Sequence, residues 1–297
     1  MNILLLGSHG QVGWELQRSL SPLGDVMAVG KHVRHGSDID LAQPDSLVKL
    51  VRELKPAVIV NAAAYTAVDR AEEERALSWR VNAETPGILA EVSRQVGALL
   101  VHYSTDYVFS GEGDTPWRES DIPAPINHYG AGKLAGEEAI STAGGRHLIF
   151  RISWIHAPRG RNFVLTMLRL LQERDALAVV SDQIGAPTSA ELVADITAQA
   201  LRQVLDEPGK AGTYHLAATG ETSWHGYSRY IAQHLSERGL TVKVMPEAVP
   251  TAHFPTAARR PANSRLDISR LMSTFDLNLP SWQRGVGRTL DECLEHG

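Results

Sequence analysis

The chain has 297 residues, of which 43% are hydrophobic and 21% are charged, as is typical of a globular protein and not of a disordered one. Its 29 basic and 34 acidic residues give a formal net charge of −5, so we expect neither nucleic acid nor an acidic membrane as a partner. The single cysteine, Cys293, permits no intrachain disulfide and favours a reducing compartment. No apolar run reaches the roughly 20 residues of a membrane helix, and the first apolar stretch is too short for a signal peptide. We therefore predict a cytoplasmic protein.

The first half of the chain alternates short apolar runs with helical patterns. The runs of strand length cover residues 3–6, 26–29, 57–60, 99–102 and 148–152. The helical patterns between them cover residues 12–20, 44–54, 83–96 and 129–140. Unbroken apolar runs fit strands that are covered by helices on both faces. The order predicts an α/β protein with a Rossmann-type, doubly wound parallel sheet.

Beyond residue 153 the alternation loosens, although helices are predicted over residues 162–173, 190–204 and 224–237. Prolines crowd residues 246–261, which we interpret as a long ordered loop. We therefore expect a first domain over residues 1–153. A smaller, loop-rich α/β domain is expected over residues 154–297, partly interleaved with the first.

Three glycines, Gly7, Gly10 and Gly13, lie in the turn between the first predicted strand and the first predicted helix. Glycines at this spacing allow a tight turn, close approach to a pyrophosphate, and close packing of helix on strand. The helix start then supplies backbone N–H groups to an anion. In this location the pattern predicts a dinucleotide site, with a purely structural turn as the alternative.

The end of the second predicted strand indicates which dinucleotide is bound. An NAD site usually carries an acidic residue there, whereas this chain has the segment Gly30-Lys31-His32-Val33-Arg34. Three basic side chains suit a 2′-phosphate, so we predict NADPH in preference to NADH. A solvated basic turn is the alternative, and it leaves NADH use open.

Tyr129 and Lys133 are four residues apart at the start of a predicted helix, which places them on one face. A tyrosine starts from a pKa of about 10, and an ammonium group some 5 Å away would lower it by about two pH units. Thr105 ends a predicted strand and adds a hydroxyl group. Together these side chains predict protonation of an oxyanion while a nicotinamide reduces a carbonyl. A surface tyrosine lying on a lysine stem is the alternative.

These motifs, together with Asn61-Ala62-Ala63-Ala64, Ser104-Thr105-Asp106 and Arg151-x-Ser153-Trp154, occur in an order that resembles the extended short-chain dehydrogenase/reductases. The resemblance covers nearly the whole chain. The chain most specifically resembles members that reduce the C4 ketone of dTDP-4-dehydro-6-deoxy-L-mannose, giving dTDP-L-rhamnose for cell-surface polysaccharide. It implies that residues 1–153 bind NADP(H) and that residues 154–297 bind the nucleotide sugar.

The resemblance also implies a role for each matching residue. Tyr129 would donate the proton, Lys133 would tune it and hold the nicotinamide ribose, and Thr105 would lie beside the ketone. The residues implied to contact the cofactor are Gly7, Gly10, Gln11, Val12, Gly13, Asp40, Leu41, Ala62, Ala63, Ala64, Tyr129 and Lys133. Those expected to contact the sugar nucleotide are Thr66, Val68, Tyr103, Ser104, Thr105, Trp154 and Arg260. Guanidinium groups suit phosphate oxygens, so Arg260 is expected to cover the diphosphate.

Some members of the family form dimers that hold Mg²⁺ through three glutamates. Glu15, Glu191 and Glu292 fall at the matching places. The resemblance thus implies a Mg²⁺ site and a homodimer, and carboxylates on a helix surface are the alternative.

Other functions of the same fold stay open at this point. Nucleotide-sugar dehydratases carry an Asp-Glu pair after the Ser/Thr, whereas here Asp106 is followed by Tyr107. Epimerases recycle a tightly held NAD, which the absence of an acid after the second strand disfavours. A non-catalytic, nucleotide-binding regulatory subunit is a third possibility. The complete set of Thr105, Tyr129 and Lys133 favours an enzyme over that subunit.

Overall fold

A six-stranded parallel sheet forms the centre of the computed structural model, which describes residues 1–30 and 39–295. The large sheet and three two-stranded sheets together contain the following strands: β1 (Asn2–Leu6), β2 (Asp25–Val29), β3 (Val58–Asn61), β4 (Leu99–Thr105), β5 (His147–Ile152), β6 (Ile155–His156), β7 (Ala178–Val180), β8 (Ile184–Gly185), β9 (Thr188–Ser189), β10 (Gly212–Leu216), β11 (Thr222–Ser223) and β12 (Glu247–Val249). In the large sheet the order is β10-β5-β4-β3-β1-β2. The chain leaves β1 toward β2 on one side and later adds β3 on the other, so the sheet changes direction at β1. Ligands of such sheets bind at the carboxyl ends of the strands beside this point.

Helices cover the sheet and form the rest of the molecule. They are α1 (Gln11–Leu20), α2 (Pro44–Leu54), α3 (Val68–Ala71), α4 (Arg75–Trp79), α5 (Thr85–Val96), α6 (His128–Ala143), α7 (Phe163–Glu173), α8 (Ala190–Asp206), α9 (Trp224–Glu237), α10 (Ser269–Phe275) and α11 (Trp282–Glu295). Within residues 1–30 and 39–295, no helix combines the length and hydrophobicity that crossing a bilayer requires.

Alternating side chains of each central strand enter two different cores. Ile3 and Leu5 join one cluster, with residues of α1 and α8, whereas Leu4 and Leu6 join another, with residues of α2, α5 and α6. All four are at most 1% exposed. Burial on both faces explains why the strands have no polar alternation, and the predicted fold class is confirmed.

The second half of the chain both extends this sheet and builds a core of its own. Strand β10 pairs in parallel with β5, and α8 packs on α1. Val164, Tyr227 and Val286, from α7, α9 and α11, belong to a separate cluster. The division into domains at residues 1–153 and 154–297 stays a prediction.

The expectation of a loop without elements over residues 246–261 is wrong. Glu247–Val249 forms a short strand that pairs in parallel with Ala178–Val180. The three residues between Pro246 and Pro250 are enough to form this strand, so a high density of prolines does not exclude a short strand.

Candidate active site

The carboxyl ends of the central strands open onto a cavity of about 1000 Å³. All the residues predicted to bind the cofactor or the sugar nucleotide line this cavity, except Gly13 and Arg260. Residues from distant parts of the sequence are brought together because parallel strands end at one edge of the sheet. The cavity also continues to Gly160, Arg161 and Trp224, which come from the second half of the chain.

Two glycines of the loop, Gly7 and Gly13, stand where no Cβ atom fits. A Cβ atom on Gly13 would lie 2.1 Å from the carbonyl oxygen of Gly7, and one on Gly7, whose φ is +82°, would lie 2.7 Å from the nitrogen of Ala63. Gly13 therefore acts by allowing α1 to pack on the loop. The first turn of α1 has no acidic residue and no side-chain cap, so its N–H groups face the cavity without a competing anion.

The second predicted determinant of the cofactor lies only partly within the described residues. Gly30 ends the β2 region and lines the cavity, together with Asp40 and Leu41 across the gap. The basic segment Lys31 to Arg34 lies outside the described residues, so its proposed contact with a 2′-phosphate stays a prediction.

Asn82 holds the loop that follows β3. Its Oδ1 accepts a hydrogen bond of 2.9 Å from the backbone nitrogen of Tyr65, and its Nδ2 donates one of 2.9 Å to the carbonyl of the same residue. Asn82 is 1% exposed. This paired contact fixes the segment from Ala62 to Thr66, which forms one wall of the cavity.

Lys133 lies one turn after Tyr129 on α6, and its exposed fraction is 2%. Its Nζ donates a hydrogen bond of 2.5 Å to the carbonyl of Tyr103 and lies 3.2 Å from Nε2 of His102. Nδ1 of that histidine is 3.1 Å from Nδ2 of Asn61, so the lysine ends a buried chain of polar groups. Burial lowers the pKa of Lys133 to about 8, against the opposing charge of Glu137.

The expectation that Lys133 lowers the pKa of Tyr129 is not met. Burial in the first place, and the carboxylate of Asp106 in the second, raise the pKa of Tyr129 to about 12, while the Thr105 hydroxyl opposes the rise. The ammonium group of Lys133 is instead directed at the Tyr103 carbonyl and His102. Tyr129 therefore keeps its proton over the whole neutral range.

Thr105 and Asp106 form a connected pair on the cavity wall. The Thr105 Oγ1 donates to Oδ1 of Asp106 over 3.1 Å and accepts from the backbone nitrogen of Tyr107 over 3.2 Å. Asp106 is 3% exposed, and burial raises its pKa to about 6. Sequence reasoning used Asp106 only to argue against dehydration, because burial of a carboxyl group beside Tyr129 is not visible in the motif.

Two stacked tryptophans line the cavity. The rings of Trp154 and Trp224 are parallel to within 11°, with centroids 3.6 Å apart. Trp154 has a φ of +48°, and a Cβ on Gly185 would lie 2.7 Å from its ring, so the backbone is shaped around this indole. Trp224, which no sequence motif marks, packs against a core cluster and also lines the cavity. A flat aromatic surface of this kind suits the apolar face of a sugar or base.

Tyr103 and Arg260 are directed elsewhere than expected. The Tyr103 hydroxyl lies 2.8 Å from Oγ1 of Thr197 in the core, so this side chain does not present its hydroxyl to a sugar. Arg260 donates from Nη2 to Oδ2 of Asp69 over 2.7 Å and is not part of the cavity wall. Two other arginines, Arg70 and Arg161, do line the cavity, and the guanidinium of Arg70 donates to Glu74. A role for Arg260 in binding the diphosphate stays a prediction.

The three predicted metal ligands line a separate cavity of about 280 Å³, and an arginine lies beside each of them. Arg288 lies 2.8 Å from Glu191, Arg18 lies 3.8 Å from Glu15, and Arg159 lies 4.0 Å from Glu292. Among the residues that the structure describes, no group of three or more His, Cys, Asp or Glu side chains could hold a metal ion. The described part of one chain therefore shows no Mg²⁺ site, and Glu191 is paired with Arg288 instead.

A chain with this sheet, a glycine loop at its switch point, and a Tyr-x-x-x-Lys helix over the same cavity is an extended short-chain dehydrogenase/reductase. Comparisons with known proteins narrow the class. The family model described as the RmlD substrate binding domain matches residues 1–295. A dTDP-4-dehydrorhamnose reductase of Salmonella typhimurium strain LT2 is 50% identical over 295 residues, covering 99% of this chain and 98% of that protein.

Solved structures that resemble this chain carry the same name as its sequence relatives. A dTDP-4-dehydrorhamnose reductase from Bacillus anthracis in complex with NADP is 36% identical, with a TM-score of 0.85 over 98% of this chain and 99% of that one. A dTDP-4-dehydrorhamnose reductase from Clostridium acetobutylicum is 34% identical, with a TM-score of 0.89 over 99% of this chain and 100% of that one. The chain belongs to the dTDP-4-dehydrorhamnose reductase family.

Proposed function

We propose that this chain reduces the C4 ketone of dTDP-4-dehydro-6-deoxy-L-mannose with NADPH and releases dTDP-L-rhamnose. The observation that carries the proposal is the meeting of the glycine loop, Thr105, Tyr129 and Lys133 at one cavity. The relatives named as reductases of this sugar support the substrate, and the NADP in the Bacillus anthracis structure supports the cofactor.

The residues present fit a dinucleotide. The loop from Gly7 to Gly13 leaves no room for a Cβ at its closest contacts, so a diphosphate can approach the backbone at the start of α1. Gly10, Gln11 and Val12 hold the diphosphate, while Asp40 and Leu41 border the adenine and the wall from Ala62 to Ala64 follows the rest of the cofactor. The nicotinamide supplies a hydride when it is bound.

Tyr129 supplies the proton. Because its pKa lies near 12, the hydroxyl is fully protonated at neutral pH and donates only when an alkoxide develops on the former ketone oxygen. The Thr105 hydroxyl provides a second hydrogen bond at that oxygen. Lys133, held by the carbonyl of Tyr103, fixes the helix that carries Tyr129 and faces the nicotinamide ribose.

The sugar nucleotide occupies the side of the cavity that the second half of the chain completes. Thr66, Val68 and Ser104 line this cavity, as do Trp154 and Trp224. Arg70 and Arg161 line the cavity, so they and Arg260 are the candidates for balancing diphosphate charge. The assignment of residues 1–153 to the cofactor and residues 154–297 to the sugar nucleotide is part of this proposal, as are a homodimer and a cytoplasmic location.

The test is a turnover measurement with purified protein, NADPH and dTDP-4-dehydro-6-deoxy-L-mannose, following absorbance of the reduced nicotinamide. We expect stoichiometric NADPH oxidation and a higher kcat/KM with NADPH than with NADH. If folded protein binds NADPH but oxidises none of it, the chain is a nucleotide-binding subunit. Interconversion of nucleotide sugars without net NADPH consumption would instead identify an epimerase.

A further inference from the structure

A buried carboxyl group lies within the proposed active site without a part in the reaction. Asp106 starts the turn Asp106–Val108 that follows β4, lines the cavity and is 3% exposed. One of its oxygens, Oδ1, accepts a hydrogen bond from Thr105. The other, Oδ2, is buried and has no close hydrogen-bond partner within the described part of the chain, although the Ser264 hydroxyl lies near the carboxyl group and favours its ionised form. A buried carboxylate oxygen without a donor is unfavourable, so the neutral acid is the form this environment prefers.

The protonation state of Asp106 decides where the single proton of Thr105 points. A hydroxyl has one proton and two lone pairs. The backbone N–H of Tyr107 occupies one lone pair of Thr105 in either state. When Asp106 is ionised, the Thr105 proton is directed to Oδ1, and the hydroxyl can only accept from any further group. When Asp106 carries a proton, the carboxyl group can donate to the second lone pair, and the Thr105 proton is released toward the cavity.

We propose that Asp106 is a positioning residue, which in its neutral form turns the Thr105 hydroxyl toward the substrate ketone and in its ionised form withdraws it. This inference rests on the proposed function, because only a developing alkoxide makes use of a donor at that point. It accounts for a carboxyl group that is kept buried beside Tyr129 although no cation pairs with it among the described residues.

Polar and charged groups from several elements surround Asp106. They are the hydroxyl groups of Ser264 and Thr105, which both oppose the rise in its pKa, then Tyr107 on the same turn, Tyr129 and Lys133 on α6, and Arg260 and Asp69 beyond Tyr107. Burial raises the pKa of Asp106 to about 6, raises that of Tyr129 to about 12 and lowers that of Lys133 to about 8. Between pH 5 and 7.5 we therefore expect kcat/KM of the wild-type protein to fall, on the order of tenfold, as Asp106 ionises.

The test compares pH profiles of kcat/KM for the wild-type protein, Asp106→Asn, Asp106→Ala and Thr105→Val. Asparagine can donate to Thr105 at every pH, so Asp106→Asn should lose the fall between pH 5 and 7.5. Asp106→Ala neither donates to Thr105 nor accepts its proton, so its profile should be equally flat and should lie below the acidic limit of the wild-type protein, where neutral Asp106 orients the hydroxyl. Thr105→Val should also be flat, because the carboxyl group acts through the hydroxyl. NADPH affinity and melting temperature are measured for each variant to show that it is folded.

A fall that persists in Asp106→Asn or in Thr105→Val would overturn the proposal, as would a flat profile of the wild-type protein. A second measurement does not depend on turnover. The carboxyl titration of Asp106, followed by infrared difference spectroscopy against Asp106→Asn, should move to higher pH in Thr105→Val, because the Thr105 hydroxyl stabilises the ionised form. An unmoved titration would contradict the coupling. Absence of NADPH oxidation by the wild-type protein would count against the proposed function and leave this titration as the deciding experiment.

Discussion

The Nζ atom of Lys133 donates a hydrogen bond of 2.5 Å to the carbonyl oxygen of Tyr103. Tyr103 lies in β4 two residues before Thr105, and Lys133 lies in α6 one turn after Tyr129. The contact therefore joins the strand that carries one proposed catalytic hydroxyl to the helix that carries the other. Since both groups must reach one ketone oxygen, this buried contact sets their relative position.

Replacement of Tyr129 by phenylalanine removes the proposed proton donor and little else. We expect kcat to fall by about 10²–10⁴, because that is the usual contribution of a positioned general acid. The dissociation constant for NADPH should change less than about threefold, since the glycine loop is untouched. Tyr230→Phe, which alters a hydroxyl bonded to the carbonyl of Gln283 at the surface, is the matched control. Retention of most activity in Tyr129→Phe would refute the assignment.

Replacement of Gly13 by alanine tests the packing of the glycine loop. The new Cβ would lie 2.1 Å from the carbonyl oxygen of Gly7, so the loop and α1 must separate. We expect weaker NADPH binding, by about tenfold or more, and a lower melting temperature. Gly209→Ala is the control, because a Cβ there meets nothing within 4 Å. Equal NADPH affinity in both variants would show that this loop does not hold the cofactor.

A buried ion pair behind the active site is expected to control stability. Arg151 Nη2 and Glu137 Oε2 are 2.7 Å apart, and the side chains are 7% and 6% exposed. Glu137→Gln leaves a buried guanidinium without its counter-charge and should lower the free energy of unfolding by about 3–5 kcal/mol. The exposed pair of Arg169 and Glu173 should contribute less than about 1 kcal/mol, so Glu173→Gln is the control. Urea denaturation of the two variants measures the difference, and equal losses would contradict this account.

Buried histidines should make the fold sensitive to acid. His156 and His215 are 1% and 0% exposed, and burial lowers the pKa of each to about 3. The unfolded chain protonates its histidines below a pKa of about 6.5, so stability is complete above that pH and is lost as the pH falls toward 3. At pH 5 the loss should be about 2 kcal/mol for each histidine.

The comparison of unfolding free energies at pH 7 and pH 5 checks this. His215→Asn should reduce the difference between the two pH values, whereas His253→Asn, at an exposed position, should not. If His215→Asn keeps the full acid sensitivity of the wild-type protein, the burial argument does not hold.

Strand and helix positions in the first half of the chain follow closely from the sequence. Predicted strand 3–6 and predicted helix 129–140 correspond to Asn2–Leu6 and His128–Ala143. Apolar runs and glycine spacing are local signals, and the topology they define places the glycine loop and the end of β4 at one cavity. Strand Gly212–Leu216 was missed because its sequence includes glycine, threonine and histidine, and only pairing with β5 makes it a strand.

The partners of individual side chains were not predictable in the same way. Arg260 bonds to Asp69, which is 191 positions away along the chain, and the Tyr103 hydroxyl contacts Thr197. Likewise the burial of Asp106 and the arginines around Glu191 depend on which elements pack together. Such contacts arise from tertiary packing, so a motif identifies a residue without fixing what it touches.

The central claim is transfer of a hydride from the nicotinamide to C4 of the sugar. Its most direct measurement uses NADPH deuterated at the transferred position, with dTDP-4-dehydro-6-deoxy-L-mannose and purified protein, followed by mass spectrometry and NMR of the product. We predict one deuterium at C4 of dTDP-L-rhamnose for each NADPH consumed, and none there when only the solvent is deuterated. A product that takes its C4 hydrogen from the solvent, or deuterated NADPH that stays unconsumed in the presence of the sugar nucleotide, would contradict the account.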